Sequence, residues 1–363
     1  MLSLHWKTAG AALALGLVTF AAAPAAVALS ARAPSRSWHL VYRAPAGPEI
    51  QGIAAPSKTA GWAFAAIYAS NHDLRGFFYL HWNGVSWRRT RIPVAAGFTP
   101  EQIQASSVGN VWMFGYRTAD LTGEALVYNG HSWKAMAAPR SDEPLAPAVV
   151  ASRSDVWLVY QSGCVSPGCT TVVENWNGTG WNSYQLPGQL QLAGGGTHPW
   201  LVGVQSASTA RREAVYRWNG SNWQRITAPG KAAARVVGVG SPGGRLWLST
   251  ERRAHGPWSL FERVGSAWSK QLTPRSFNPT SGPGFPVFDG HNGFWSLPFH
   301  WTGTRWIRTM PNGPREPWWF NTFWYNEVAP VPGSFDVWAA ILANTSRTSG
   351  TQQFAIGAYG KTP

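Results

Sequence analysis

The feature that most constrains this chain is a repeat with a period of about 46 residues. Three signals recur in fixed order. A Trp opens a short apolar run at Trp62, Trp112, Trp157, Trp200, Trp247, Trp295 and Trp338. An aromatic-Asn-Gly-x-x-Trp segment follows, as HWNGVSW at 81–87, VYNGHSW at 127–133, NWNGTGW at 175–181 and RWNGSNW at 217–223. It decays to RVGSAW at 263–268 and HWTGTRW at 300–306. A proline then closes each unit: Pro93, Pro139, Pro187, Pro229, Pro274 and Pro311.

Each unit reads as four short strands. Runs such as WMFGY and ALVYNG alternate in the manner of half-buried strands. Asn-Gly supplies the left-handed backbone of a tight hairpin turn. The aromatics flanking that turn then lie on adjacent strands, within reach of each other. Stacked units share a wide aromatic seam. The proline ends the outer strand because it cannot donate to a ladder. With this period, the expected fold is all-β, a seven-bladed β-propeller of four-stranded blades.

Seven opening Trp but six complete turns imply that the chain ends share a blade. AIGAYGKTP (355–363) resembles a third strand, and SWHLVYRAP (37–45) resembles an outer strand. The N-terminal stretch 29–46 should therefore complete the last blade and remove both exposed sheet edges. Residues 29–363 become one domain. The composition agrees. Of 363 residues, 23 are Trp, and only 13% are charged. Neither a disordered chain nor a helical bundle is built that way.

The pattern resembles secreted, actinobacterial-type propellers of the kelch and galactose-oxidase-like superfamily, across nearly the whole of 29–363. The aromatic and Trp around the outer hairpin are present. The Gly-Gly pair of that family is missing, with Phe114-Gly115-Tyr116 standing nearest to it. Trp-rich lectin propellers of the tectonin type are a weaker resemblance. The likeness implies a fold; it implies no activity, because propellers host many.

The N-terminus reads as an export signal. Lys7 precedes an uncharged run from Thr8 to Ala31, and Ala26-Val27-Ala28 suits cleavage after Ala28. The run is long enough to span a membrane, so a retained anchor is the alternative. Cys164 and Cys169 are the only cysteines, an even pair that in an exported chain suggests a local disulfide. Lys and Arg number 30 against 16 acids, a formal net charge of +14. Such a surface attracts anionic polymers.

Regular sequence marks one face of the propeller, where the one-to-two and three-to-four turns emerge. The opposite face collects the irregular two-to-three loops and blade connections, where function concentrates. Arginines recur there, among them Arg252, Arg253 and Arg315. Trp6 belongs to the leader, and the repeat places every other Trp except Trp258, Trp318, Trp319 and Trp324. With Tyr325, these are the candidate ligand-stacking rings; packing inside the channel is the alternative for 318–325.

No catalytic constellation is recognisable. Asp73, Asp142, Glu143, Glu251, Glu316 and Glu327 lie in loop-face segments but form no recognisable pair of the glycosidase kind. The nine histidines show no metal-ligand spacing. No metal and no cofactor are expected. The expectation is a secreted, monomeric, non-catalytic binding protein for polysaccharide or cell-envelope glycan, without nucleic acid as partner. Alternatives are a scaffold for a cell-surface protein and a glycan-active hydrolase or lyase.

Overall fold

The computed structural model describes residues 37–360, apart from 46–47, 70, 72, 140–147, 163–168, 195, 208–209, 231–234, 242, 254–256, 276, 278, 280–285, 310–317, 320–327, 333 and 345–351. The expected export signal, 1–28, lies outside the described residues. Seven antiparallel sheets follow one another along the chain. Blade one is typical. Its strands, from the axis outward, are Glu49–Ser57, Ala60–Tyr68, Leu74–Trp82 and Trp87–Thr90. Blades two to six repeat the order, beginning at Phe98, Val149, Gln189, Arg235 and Val287.

Blade seven is built from both chain ends. Ser37–Arg43 pairs antiparallel with Gln352–Gly360, which pairs with Val337–Asn344. The N-terminal strand therefore closes the ring, as the sequence implies. The innermost position of this blade is split. Val328–Pro330 pairs with Val337–Ala339, and Trp318–Trp319 pairs with Leu342–Ala343. The expectation that Trp318 and Trp319 belong to a connecting loop is thus corrected. Val337–Asn344 is longer than Val328–Pro330, and backbone left over at Leu342 and Ala343 takes Trp318–Trp319 as its partner.

The hairpin turns follow the sequence motif. Trp82 pairs with Trp87, and Asn83 and Gly84 open the turn between them. Gly84, Gly130, Gly178 and Gly220 all have φ between 93° and 103°, a region glycine enters without steric cost. The Asn83 side-chain oxygen accepts the N–H groups of Val85 and Ser86 at 3.1 and 3.0 Å. Asn129, Asn177 and Asn219 do the same in their own turns.

Blade packing is aromatic. At most junctions the opening Trp meets rings that flank the next blade's outer turn. Trp62 lies 5.0 Å from both Tyr128 and Trp133. Trp157 lies 5.0 Å from Trp218 and 5.3 Å from Trp223. Trp338 lies 5.6 Å from Trp82 and 5.2 Å from Trp87, across the closing junction. Most contacts are edge-on, the arrangement the ring quadrupole favours. Trp112, Trp157, Trp200, Trp247 and Trp295 are among the largest fully buried side chains.

Candidate functional site

Convergence of the inner strands leaves an axial cavity of about 630 Å³. Its wall is mostly Ala, Val, Gly and Pro, drawn from all seven blades. Small residues are needed where seven strands approach one axis. Its polar side chains already have partners. Ser106 accepts from Asn110 Nδ2 at 2.7 Å, and Thr197 lies 3.0 Å from the His198 ring. Asp289 is 1% exposed and lies 2.9 Å from His300 Nε2. It also accepts N–H bonds from His291 and Gly293. Burial raises the Asp289 pKa, but these bonds lower it by more, leaving a net depression.

The face opposite the regular turns presents a set of exposed arginines. Arg75, Arg212, Arg252, Arg253 and Arg275 are exposed there. None forms an ion pair within 4.0 Å among the described residues; Arg252 lies in the field of Glu213. Arg117 is different, since it reaches both Asp120 and Glu124.

Carboxylates on this face are committed elsewhere. Glu213 accepts the Gly230 N–H at 3.0 Å and so pins the connection between blades four and five. Burial raises its pKa, against the lowering bond from Gly230 and the field of Arg252. Glu251 is the exception in hydrogen bonding: it is buried, 3.7 Å from Arg235 Nε, and its Oε2 accepts no hydrogen bond among the described residues. Asp73 accepts from Asn71, an exposed local bond.

The turn face has its own commitments. Trp157 Nε1 donates to Asp155 at 2.6 Å, and Trp112 Nε1 donates to Asn110 at 2.9 Å. The residue two before the Trp thus holds its indole in place. Burial raises the Asp155 pKa, against the bonds from Trp157 and Asn175. Asp336 receives Lys58 at 3.3 Å. The turn asparagines cannot serve as a sugar site through their side-chain oxygens, which are bonded to their own backbone.

The residues selected from sequence fall into three groups. Arg252 and Arg253 sit together, exposed, on the loop face. Trp258 is 7% exposed and packs with Val237, Phe277 and Phe299. Its ring is core and is unavailable for stacking on a ligand, because the strand it opens, Trp258–Val264, turns it inward. Trp318 and Trp319 sit at the innermost strand position of blade seven. Arg315, Trp324 and Tyr325 lie outside the described residues, as do Asp142, Glu143, Glu316 and Glu327. Cys169 directly precedes the third strand of blade three, Thr170–Trp176; Cys164 lies outside the described residues.

Two residues escaped the sequence reading. Arg217 and Arg263 meet beside Trp200 at the junction of blades four and five. The signal was present: RVGSAW places Arg263 where other units carry an aromatic.

The chain matches no protein-family model, and no curated protein matches its sequence. Its fold is similar to the β-propeller domain of the Trilobed protease from Pyrococcus furiosus, at 10% identity and a TM-score of 0.58, covering 87% of this chain and 98% of that one. Weaker likenesses are to the Aleuria aurantia lectin, at 14% identity and a TM-score of 0.39 (89% and 98% covered), and to the GH74 xyloglucanase from Xanthomonas campestris, at 12% and 0.36 (89% and 55% covered). At these identities the likeness is one of fold.

Proposed function

We propose that this chain is an exported, monomeric, non-catalytic binding protein, and that its ligand is an anionic extracellular polysaccharide or cell-envelope glycan. The observation that carries the reading is the set of exposed, unpaired arginines on the loop face, in a chain of net charge +14. Guanidinium groups form paired hydrogen bonds to carboxylates and sulfates, and an uncompensated surface raises the local concentration of a polyanion. The aromatic segment 318–325 supplies rings for the same ligand. Kinship with kelch and galactose-oxidase-like propellers, and a Cys164–Cys169 bond stapling the loop of blade three, belong to this proposal. An intact-mass shift on reduction checks the bond.

Binding is favoured over glycan cleavage by the state of the acids. Every carboxylate among the described residues has an intramolecular partner. Glycoside hydrolysis uses two carboxyl groups set across the scissile bond.

The test is retention on immobilised acidic polysaccharide, with neutral dextran as control. The expected result is retention that weakens with salt and with the double variant Arg252→Ser, Arg253→Ser, and again with Trp318→Ala, Trp319→Ala, Trp324→Ala. No retention by any acidic matrix sinks the reading. Release of reducing ends from a retained glycan moves it to the hydrolase alternative. A blank glycan panel with a cross-linked protein partner moves it to the scaffold alternative.

A further inference from the structure

The junction of blades four and five departs from the others. Elsewhere the residue five before the closing Trp of the outer hairpin is Tyr128, Trp176, Trp218, Trp301 or Trp82, wedged against or beside the opening Trp of the preceding blade. Here that residue is Arg263. Its guanidinium lies 5.5 Å from the Trp200 ring and 5.9 Å from the Trp268 ring. Arg217, the cross-strand neighbour of Trp200, lies 5.1 Å from the same Trp200 ring. Two cations therefore share one indole, close enough for each to feel the other's charge.

Among the described residues neither cation has an acid. Arg263 is 9% exposed, and its Nε is buried without a hydrogen-bond partner; the Nε of Arg217 is in the same state. Glu262 precedes Arg263 in sequence, but it is the cross-strand neighbour of Trp247, on the other face of its strand. It is held there by Arg245 at 3.4 Å and Gln271 at 3.1 Å. Burial lowers the Arg263 pKa, and the charge of Arg217 lowers it further. Buried charges are normally paired, and a buried unsatisfied donor calls for a cause. The facing turn contributes Gly244, with φ +82°, where an added Cβ would come within 3.0 Å of an Arg217 terminal nitrogen. Cation–π attraction from the indoles supports the pair, but it leaves each buried Nε–H without an acceptor.

We propose that Arg217 and Arg263 form a binding site for a compact oxyanion, a sulfate or phosphate group, at the turn-face end of the blade four–five junction. A tetrahedral oxyanion accepts from two guanidinium groups at once and cancels their repulsion. The indoles of Trp200 and Trp268 wall the site and lower its dielectric, which strengthens those bonds. The group arrives either as the free ion or as an ester on a glycan. This site lies on the opposite face from the loop arginines and stands independently of them.

Thermal unfolding of the purified protein tests it, in sodium sulfate or phosphate against sodium chloride of matched ionic strength. Sulfate stabilises many proteins by exclusion, so the variants supply the measure. Arg263→Trp restores the aromatic of the other junctions, and Arg217→His installs the residue found at His81 and His300. Both are therefore expected to fold. The expected result is a saturable rise in Tm with sulfate and phosphate in the parent, weakened at least about tenfold in affinity by either variant. Equal shifts in parent and variants, or no rise beyond chloride, overturn the site. A glucose 6-phosphate arm, with glucose as control, separates the sources. An effect matching phosphate assigns an ester, and one confined to the inorganic ions assigns the free anion.

Discussion

The closing junction, between blades seven and one, and the junction between blades four and five solve the same packing problem with different materials. At the closure, Trp338 is wedged between Trp82 and Trp87, with no charged group in the aromatic contact. Gly61 makes the room, since a Cβ there would lie 2.3 Å from a carbon of the Trp338 ring. At the other junction Trp200 occupies the equivalent place, but Arg217 and Arg263 both lie against it. The first arrangement is complete without a ligand. The second holds two cations together and gains from anything that neutralises them. A repeat teaches most where one copy substitutes chemistry for packing.

The comparison breaks first at the closure. Trp338→Ala removes the wedge joining the chain's last blade to its first. We expect a loss of about 3–5 kcal/mol in chemical denaturation. Since the closure also holds the N-terminal strand in place, unfolding should stay cooperative with a lower midpoint. A cost below about 1 kcal/mol would mean that the rings are not what seals the ring of blades.

The next test moves the cation. Trp218→Arg puts a charge at the junction of blades three and four, where Trp218 is 8% exposed and 5.0 Å from Trp157. Without the partner chemistry of the blade four–five junction, it should cost about 3 kcal/mol. The reverse change, Arg263→Trp, should stabilise the protein by about 1 kcal/mol in chloride buffer, because an unpaired buried charge is replaced by a ring. If the forward change is harmless, or the reverse one destabilising, the two junctions are equivalent and the arginines are mere packing.

The fold was legible because its signals are local and repeated. Trp at the start of each second strand, Asn-Gly at each outer turn and the split ends of blade seven all follow from strand period, turn stereochemistry and edge protection. The site was less legible. Trp258 looked available because it falls outside the repeat, yet its place beside Phe277 and Phe299 depends on the path of the connection after blade five. Trp318 and Trp319 looked like loop because two residues carry no strand periodicity; only the excess length of Val337–Asn344 gives them a partner. Asp289 and His300 are eleven positions apart, and pairing of the strands on either side of Phe294–Ser296 brings them together. Arg263 was visible as a lapse in the motif, but its missing acid is a fact of three dimensions.

The smallest expected effect concerns the histidine at the junction of blades one and two. His81 is the cross-strand neighbour of Trp62, with ring centroids 4.3 Å apart, the same relation that Arg217 has to Trp200. Burial lowers the His81 pKa below its ordinary 6.5. Its charged neighbour is Arg88, directly across the outer strand pair, and among the described residues no acid bonds the ring. The unfolded chain therefore binds the proton more readily than the folded one. The stability that neutral His81 contributes is complete above about pH 6.5 and declines as pH falls through the lower folded value. Asp289 does not interfere, since its depressed pKa moves its own loss below the ordinary carboxylate range. Asp155, Glu213 and Glu262, whose pKa values burial raises, act in the opposite sense, so the measure is the difference between parent and variant: from pH 7.5 to 5.5 the parent should lose more Tm, or gain less, than His81→Phe, which keeps a ring on Trp62. The same pH response in parent and variant would show that His81 carries its proton in the folded state as easily as in water. The position over the opening Trp would then tolerate a cation without an anion, and the same tolerance would have to be granted to Arg217.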